Sequence, residues 1–233
     1  MKVGIIQSNY VPWRGYFDFI DSVDLFVFYD DLQYTRRDWR NRNRIVTPDG
    51  LRWLTVPVNY ERRSQLIDEV PIDYRQNWPE RHLHQLEANY RHAPFFQTYV
   101  HQFAGIITRK FSSISELNVA LCKWVMRILD IRTPTCMSRE LKASGKKSER
   151  LVDLLTKVGG TSYLSGPSAE AYLDLELFQR QGIRVEYKSY DYPPYPQLHG
   201  GFAGDASILD FLFNTGPDAR QYLKSCARNR VVA

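Results

Sequence analysis

Two short apolar runs, each stopping abruptly at polar residues, constrain this chain more than any other feature. Val3-Gly4-Ile5-Ile6 ends in Gln7-Ser8-Asn9-Tyr10, and Leu25-Phe26-Val27-Phe28-Tyr29 ends in Asp30-Asp31. Runs this short and this apolar suit strands buried on both faces. Between them, Trp13 to Asp21 places Tyr16, Phe17, Phe19 and Ile20 at i, i+1, i+3 and i+4, a helical pattern. Strand, loop, helix and strand in about 30 residues is the length of a βαβ unit, whose two strands run parallel.

The rest of the chain extends this alternation. Ile45-Val46-Thr47, the turn signal Pro48-Asp49-Gly50 and the alternating Leu54, Val56 and Val58 predict a β-hairpin over 44–58. Residues 59–75 read as loop, with Ile67, Val70 and Ile72 spaced for one extra strand. Helices are expected at 78–90 (Leu83, Leu86 and Tyr90 as its stripe), 95–109, 115–129, 147–158 and 169–180, and helical structure at 207–223. Strands are expected at 133–137, 162–164 and 184–190. The expectation is one domain over 1–233, α/β in class, with a mainly parallel, Rossmann-like central sheet flanked by helices and a hairpin inserted.

Composition removes several alternatives. Hydrophobic residues at 43% and charged residues at 24% are ordinary globular usage, so disordered and fibrous classes are out. No window approaches the ~18 apolar residues of a membrane span, and the first residues lack a signal-peptide core. Three cysteines, widely spaced and without CxxC, argue against a disulfide framework and suit a cytoplasmic location. A bland basic surface accounts for the net charge of +5 as well as a nucleic-acid footprint would, so the charge weakly favours an anionic ligand, and no nucleic-acid partner is expected. The 15 tyrosines combine apolar bulk with hydrogen-bonding tips, as ligand clefts and ordinary cores both do.

Four constellations could carry chemistry. Gln7, Asn9 and Tyr10 follow the first strand, where open α/β sheets hold ligands, and amides there suit a sugar, base or amide carbonyl. Asp30 and Asp31 end the second strand and point to opposite faces, so one can meet a ligand while the other caps. Arg36 to Arg44 contains five arginines with Trp39, Asn41 and Asn43. On an extended strand Arg40, Arg42 and Arg44 share one face and the amides the other, and guanidinium forks match phosphate. His82 and His84 lie on different helical faces, no HExxH occurs, and neither GxGxxG nor a P-loop is present, so neither a metal nor a nicotinamide or flavin is expected. His82, beside the apolar stripe, is the histidine best placed for proton transfer, with Asp30 as its competitor.

Gln7-Ser8-Asn9-Tyr10-Val11-Pro12-Trp13-Arg14-Gly15-Tyr16-Phe17 resembles the opening signature of the WbqC-like protein family. So do Asp24 through Tyr34, Trp39 through Ile45, Leu54 through Val58, His82 with Tyr90, Ala93 through Phe96, Tyr163 through Gly166 and Ser207 through Gly216. One departure is Ser8, where the family usually carries proline. The resemblance implies work in biosynthesis of bacterial surface polysaccharide (O-antigen, lipopolysaccharide) or of natural products. It implies transfer of an acyl group, aminoacyl or glycyl, from a carrier thioester to an amine. The donor would be a phosphopantetheine thioester, the partner an acyl or peptidyl carrier protein, and the other substrate a nucleotide sugar or sugar phosphate. His82 and Asp30 would be catalytic, and Gln7, Asn9, Tyr10, Trp13, Arg40, Asn41, Arg42 and Asn43 substrate-binding. Two alternatives stand beside it. One is a nucleotidylyltransferase, weakened because no histidine lies at 7–15, where that HxGH motif belongs. The other is a non-catalytic nucleotide-sugar-binding or scaffold subunit.

Overall fold

A computed structural model describes residues 1–232. Its main sheet has the strand order β5-β2-β1-β6-β7-β8. β1 (Lys2–Ile6), β2 (Leu25–Phe28), β5 (Thr135–Met137), β6 (Ser162–Ser165) and β7 (Arg184–Tyr187) are all parallel, and only β8 (Arg230–Val231) at the edge is antiparallel. The α/β reading with a mainly parallel sheet therefore holds. A separate two-stranded sheet forms the hairpin, β3 (Arg42–Thr47) and β4 (Gly50–Thr55), in register Thr47 to Gly50.

Alternation along each strand divides the core between the two faces of the sheet. Val3, Ile5, Val27 and Tyr29 pack on one face against Leu151, Leu154 and Leu155 of α6 (Lys147–Lys157) and Phe178 of α7 (Leu175–Arg180). Phe26 and Phe28 turn the other way, into a larger cluster. That cluster draws on α1 (Arg14–Ile20), α2 (Trp78–Tyr90), α3 (Phe96–Ile107), α4 (Ile114–Ile128) and α8 (Ile208–Thr215). Gly4 shows how tightly α1 lies on β1: a Cβ there would sit 2.4 Å from the Phe19 ring. None of the described helices is long and apolar enough to cross a membrane.

The departures from expectation have local causes. Ile67–Glu69 is a 3-10 turn rather than a strand, and Val58 and Ile72 meet only as a single bridge. The helix expected at 169–180 is split into a 3-10 turn, Pro167–Ala171, and α7, because Asp174 caps a new start by accepting from the Leu177 amide at 3.1 Å. The helical stretch at 207–223 breaks at Gly216, which has φ +53 and begins the 3-10 turn Gly216–Tyr222. β7 stops at Tyr187, and the strand β8 had no counterpart in the pattern reading. The short α5 (Ser138–Leu141) follows β5 directly.

Gly216 provides a first test. A Cβ there would lie 2.3 Å from the Phe95 ring, and its φ is left-handed. Gly216→Ala should therefore lower the unfolding free energy by about 2–4 kcal/mol, combining backbone strain with overpacking. Urea denaturation measures this, and a loss below about 1 kcal/mol would mean the turn relaxes freely.

Candidate active-site crevice

Counting only the parallel strands in chain order, β5-β2-β1-β6-β7 reads 3-2-1-4-5. The winding direction reverses between β1 and β6, where open α/β sheets bind ligands beyond the carboxyl ends of their strands. A cavity of about 400 Å³ opens there. Gln7 enters from the end of β1, Tyr29 and Leu32 from the end of β2, Tyr163 and Ser165 from β6, and Ser168 and Tyr172 from the turn that follows. Lys147, the first residue of α6, closes the rim.

Lys147 combines three observations. Its ammonium is exposed and pairs with no carboxylate among the described residues. Its backbone is left-handed, φ +49, a strained state for a residue with a side chain. It also stands at the positive end of an 11-residue helix, whose free amides and dipole favour an anion. Across the cavity, burial pushes the Tyr29 phenol up to about 12, against the opposing pull of Arg150, so it is a neutral donor near pH 7. Tyr163 is likewise driven up by burial and stacks on Phe178 at 5.7 Å.

Of the polar residues singled out in the sequence, Tyr10, Asp30, Arg40, Asn43 and His82 gather behind the loop over residues 7–13 rather than in the open cavity. Asp30 is fully buried and accepts from the Ser8 amide at 2.7 Å and from the Ser115 hydroxyl. Burial raises its pKa, while those two serines pull it down. Asn43 donates to the carbonyls of Tyr10 and Val11, both at 3.1 Å, and Ser207 donates to Val11 at 2.9 Å. Asn118 ties Ser8 to the Arg40 carbonyl. These bonds hold Val11 at φ +37, a costly conformation for a β-branched residue.

His82 belongs to this interior. Trp78, His82, Leu86 and Tyr90 form the buried stripe of α2, so the histidine sits on the stripe itself and Leu83 beside it. The Thr55 carbonyl can only accept, so His82 Nε2 carries the proton at 3.1 Å, and Nδ1 accepts from the Tyr10 hydroxyl at 2.9 Å. Burial lowers its pKa to about 4. With both nitrogens engaged, no lone pair faces the crevice. Asp31, the other half of the acidic doublet, faces away from Asp30 and binds Ser138 and Arg150.

The basic segment divides by strand period. Asn43 faces inward, while the Arg42 guanidinium lies 4.1 Å from the Trp53 ring centroid and Arg44 lies over Trp39 and Trp53. Arg40, just before the strand, is buried instead, reaching the Ser8 carbonyl at 3.4 Å and Asp38 at 3.5 Å. Asn9 and Trp13 line a smaller pocket of about 190 Å³ with Trp39, Asn43 and Asp205. Asn41 lines a third cavity with Tyr34 and Tyr60. Of the sequence-derived residues, only Gln7 reaches the crevice between β1 and β6.

The profile of the WbqC-like protein family matches residues 7–222, which span the crevice, the buried web and the hairpin. This chain belongs to the WbqC-like family. It is also 46% identical over 228 residues to the uncharacterized protein Rv1507c of Mycobacterium tuberculosis, covering 97% of this chain and 98% of that relative. No solved structure matches.

The crevice residues that sequence reasoning passed over in this WbqC-like chain are Tyr29, Lys147, Ser165, Ser168 and Tyr172. One signal for Lys147 was present. Lys146-Lys147 follows Ser144-Gly145 at a helix start, where acidic residues are the favoured choice. Basic residues at that end oppose the dipole, with Glu149 the acidic residue of the same turn.

Proposed function

We propose that this WbqC-like protein is a transferase that binds a nucleotide sugar or sugar phosphate in the β1–β6 crevice and acylates an amine on it. The acyl or aminoacyl group comes from a carrier thioester, phosphopantetheine being the matching donor. The supporting observation is the crevice itself, with a free ammonium at a helix N-terminus facing tyrosine and serine hydroxyls and the Gln7 amide. The cation suits phosphate, and hydroxyl and amide groups suit a sugar.

The chemistry asks little of the protein. The nitrogen–carbonyl bond forms, the carbon–sulfur bond breaks, and the proton lost by nitrogen balances the one the leaving thiolate takes up. Proximity and orientation then supply most of the acceleration. The described residues show no activated nucleophile for a covalent step. Burial pushes the Cys122 and Cys136 thiols up, and the only buried histidine is occupied by Tyr10 and Thr55. Transfer on this reading is direct. The three free thiols suit the reducing cytoplasm where such donors are made.

The test is amine-dependent release of thiol from an aminoacyl thioester, with intact-mass measurement of the protein incubated with donor alone. Thiol release without an acylated protein is expected. An acyl adduct formed in the absence of amine would overturn direct transfer, and no release with any donor would overturn acyl transfer. One observation favours a second reading, a non-catalytic sugar-nucleotide carrier: no carboxylate or imidazole is among the described residues lining the crevice. Tight binding of the sugar substrate without turnover would favour that carrier.

A further inference from the structure

The third cavity, of about 470 Å³, lies beside the connection from β2 to β3. It is lined by Tyr34, Arg36, Arg37, Asn41, Val58 and Tyr60, none of which lines the crevice. Its size is ordinary for a small-molecule site. From these residues we infer a separate binding site for a phosphate ester that also carries a hydroxyl or amide N–H donor.

Asn41 sets the donor requirement. The residue is only 7% exposed, and its Oδ1 is buried and accepts from nothing among the described residues. The rest of the residue is fixed: Nδ2 donates to the Val56 carbonyl at 2.8 Å, and the Asn41 carbonyl accepts from the Val56 amide at 2.8 Å. An amide held this firmly cannot turn its oxygen to water elsewhere, and leaving it unmatched costs about 1–3 kcal/mol. Asn41 lines the cavity, so a ligand N–H or O–H that reaches Oδ1 from it would recover that loss.

The arginines set the charge. Neither Arg36 nor Arg37 pairs with a carboxylate among the described residues, although Arg40 pairs with Asp38 and Arg44 with Asp205. Arg36 lies 5.3 Å from the Tyr60 ring centroid, which steadies the guanidinium and leaves its edge free. Arg37 holds a left-handed φ of +57, with its carbonyl receiving the Arg42 guanidinium. Two unpaired forks on one rim match the oxygens of a phosphate. Tyr34 and Tyr60, 5.3 Å apart, supply an aromatic wall for a ring.

Calorimetric titration of the full chain tests the site, using inorganic phosphate, glucose 1-phosphate and uridine 5′-diphosphate. The Lys147→Gln background removes the crevice cation, so failure of the crevice reading and failure of this one are distinguishable. In that background the esters should bind at least tenfold more tightly than inorganic phosphate. Adding Arg36→Gln and Arg37→Gln, both at the surface, should weaken them tenfold or more. Asn41→Ala, if folded by circular dichroism, should remove the advantage of ester over inorganic phosphate. A preference for glucose 1-phosphate identifies a hexose phosphate as the ligand class, and a preference for uridine 5′-diphosphate identifies a nucleoside diphosphate. Loss of all binding in Lys147→Gln alone, or unchanged affinity in the double arginine variant, would overturn the site.

Discussion

Lys147→Gln is expected to weaken binding of a phosphorylated substrate in the crevice by roughly 10–100-fold while leaving the fold intact. A hydrogen bond to a charged group contributes about 1.5–3 kcal/mol, and each ~1.4 kcal/mol is a factor of ten. Lys147 is exposed and makes no ion pair among the described residues, so its removal breaks nothing in the resting protein. Glutamine keeps most of the length and loses the charge, and it meets the same φ of +49. In a thioester assay the loss should fall mainly on KM, because the ammonium holds substrate and transition state alike. Affinity in the parent should also fall as salt is raised, and that salt dependence should flatten in the variant. Equal affinities for parent and variant would take Lys147 out of the binding machinery.

The second large effect concerns His82 and acid. Burial holds the folded-state pKa at about 4, against 6.5 for the free side chain. Between those values the unfolded chain binds a proton that the folded chain does not. The stabilising contribution is thus complete above about pH 6.5 and drains away as pH falls towards 4. Its size is about 3 kcal/mol, from ~1.4 kcal/mol per pH unit. His82→Gln does not titrate, so the stability gap between parent and variant should narrow by up to that amount as pH falls from 7 to 4. Asp30 and Asp210 act in the opposite sense, since burial raises both, but they are common to the two proteins and cancel in the difference. Urea denaturation at several pH values measures the gap. Parallel curves would mean that folding leaves the His82 pKa where it is in the unfolded chain.

What could be read from the sequence was what local pattern governs. The runs at 3–6 and 25–29 are apolar on both faces because helices cover both faces of the sheet, so strand and parallel pairing followed from them. Period two likewise separates Asn43 from Arg42 and Arg44. Local pattern could not tell which way a polar group at a strand end turns. Asp30 and Asp31 look equivalent in sequence, yet one closes on Ser8 and Ser115 and the other on Ser138 and Arg150, partners up to 119 residues away. His82 met its partners Tyr10 and Thr55 the same way, through tertiary contact alone. Arg40 turned inward because it precedes the strand, where alternation has not begun. Lys147 carries only a faint local signal, because paired lysines at a helix start also occur on ordinary solvated surface.

The web behind Gln7 gives the crevice jaws of unequal stiffness. One jaw is clamped at both ends of the loop, by Asp30 and Asn118 at Ser8 and by Asn43 and Ser207 at Val11. The other carries Ser168 in a single 3-10 turn and Tyr172 at its end, with Tyr172 65% exposed. A ligand therefore pays almost no ordering entropy against the first jaw and meets it as a template. Accommodation of different substrates falls to the second. Related chains with different ligands in this crevice should accordingly diverge in the turn after β6 and keep the loop after β1.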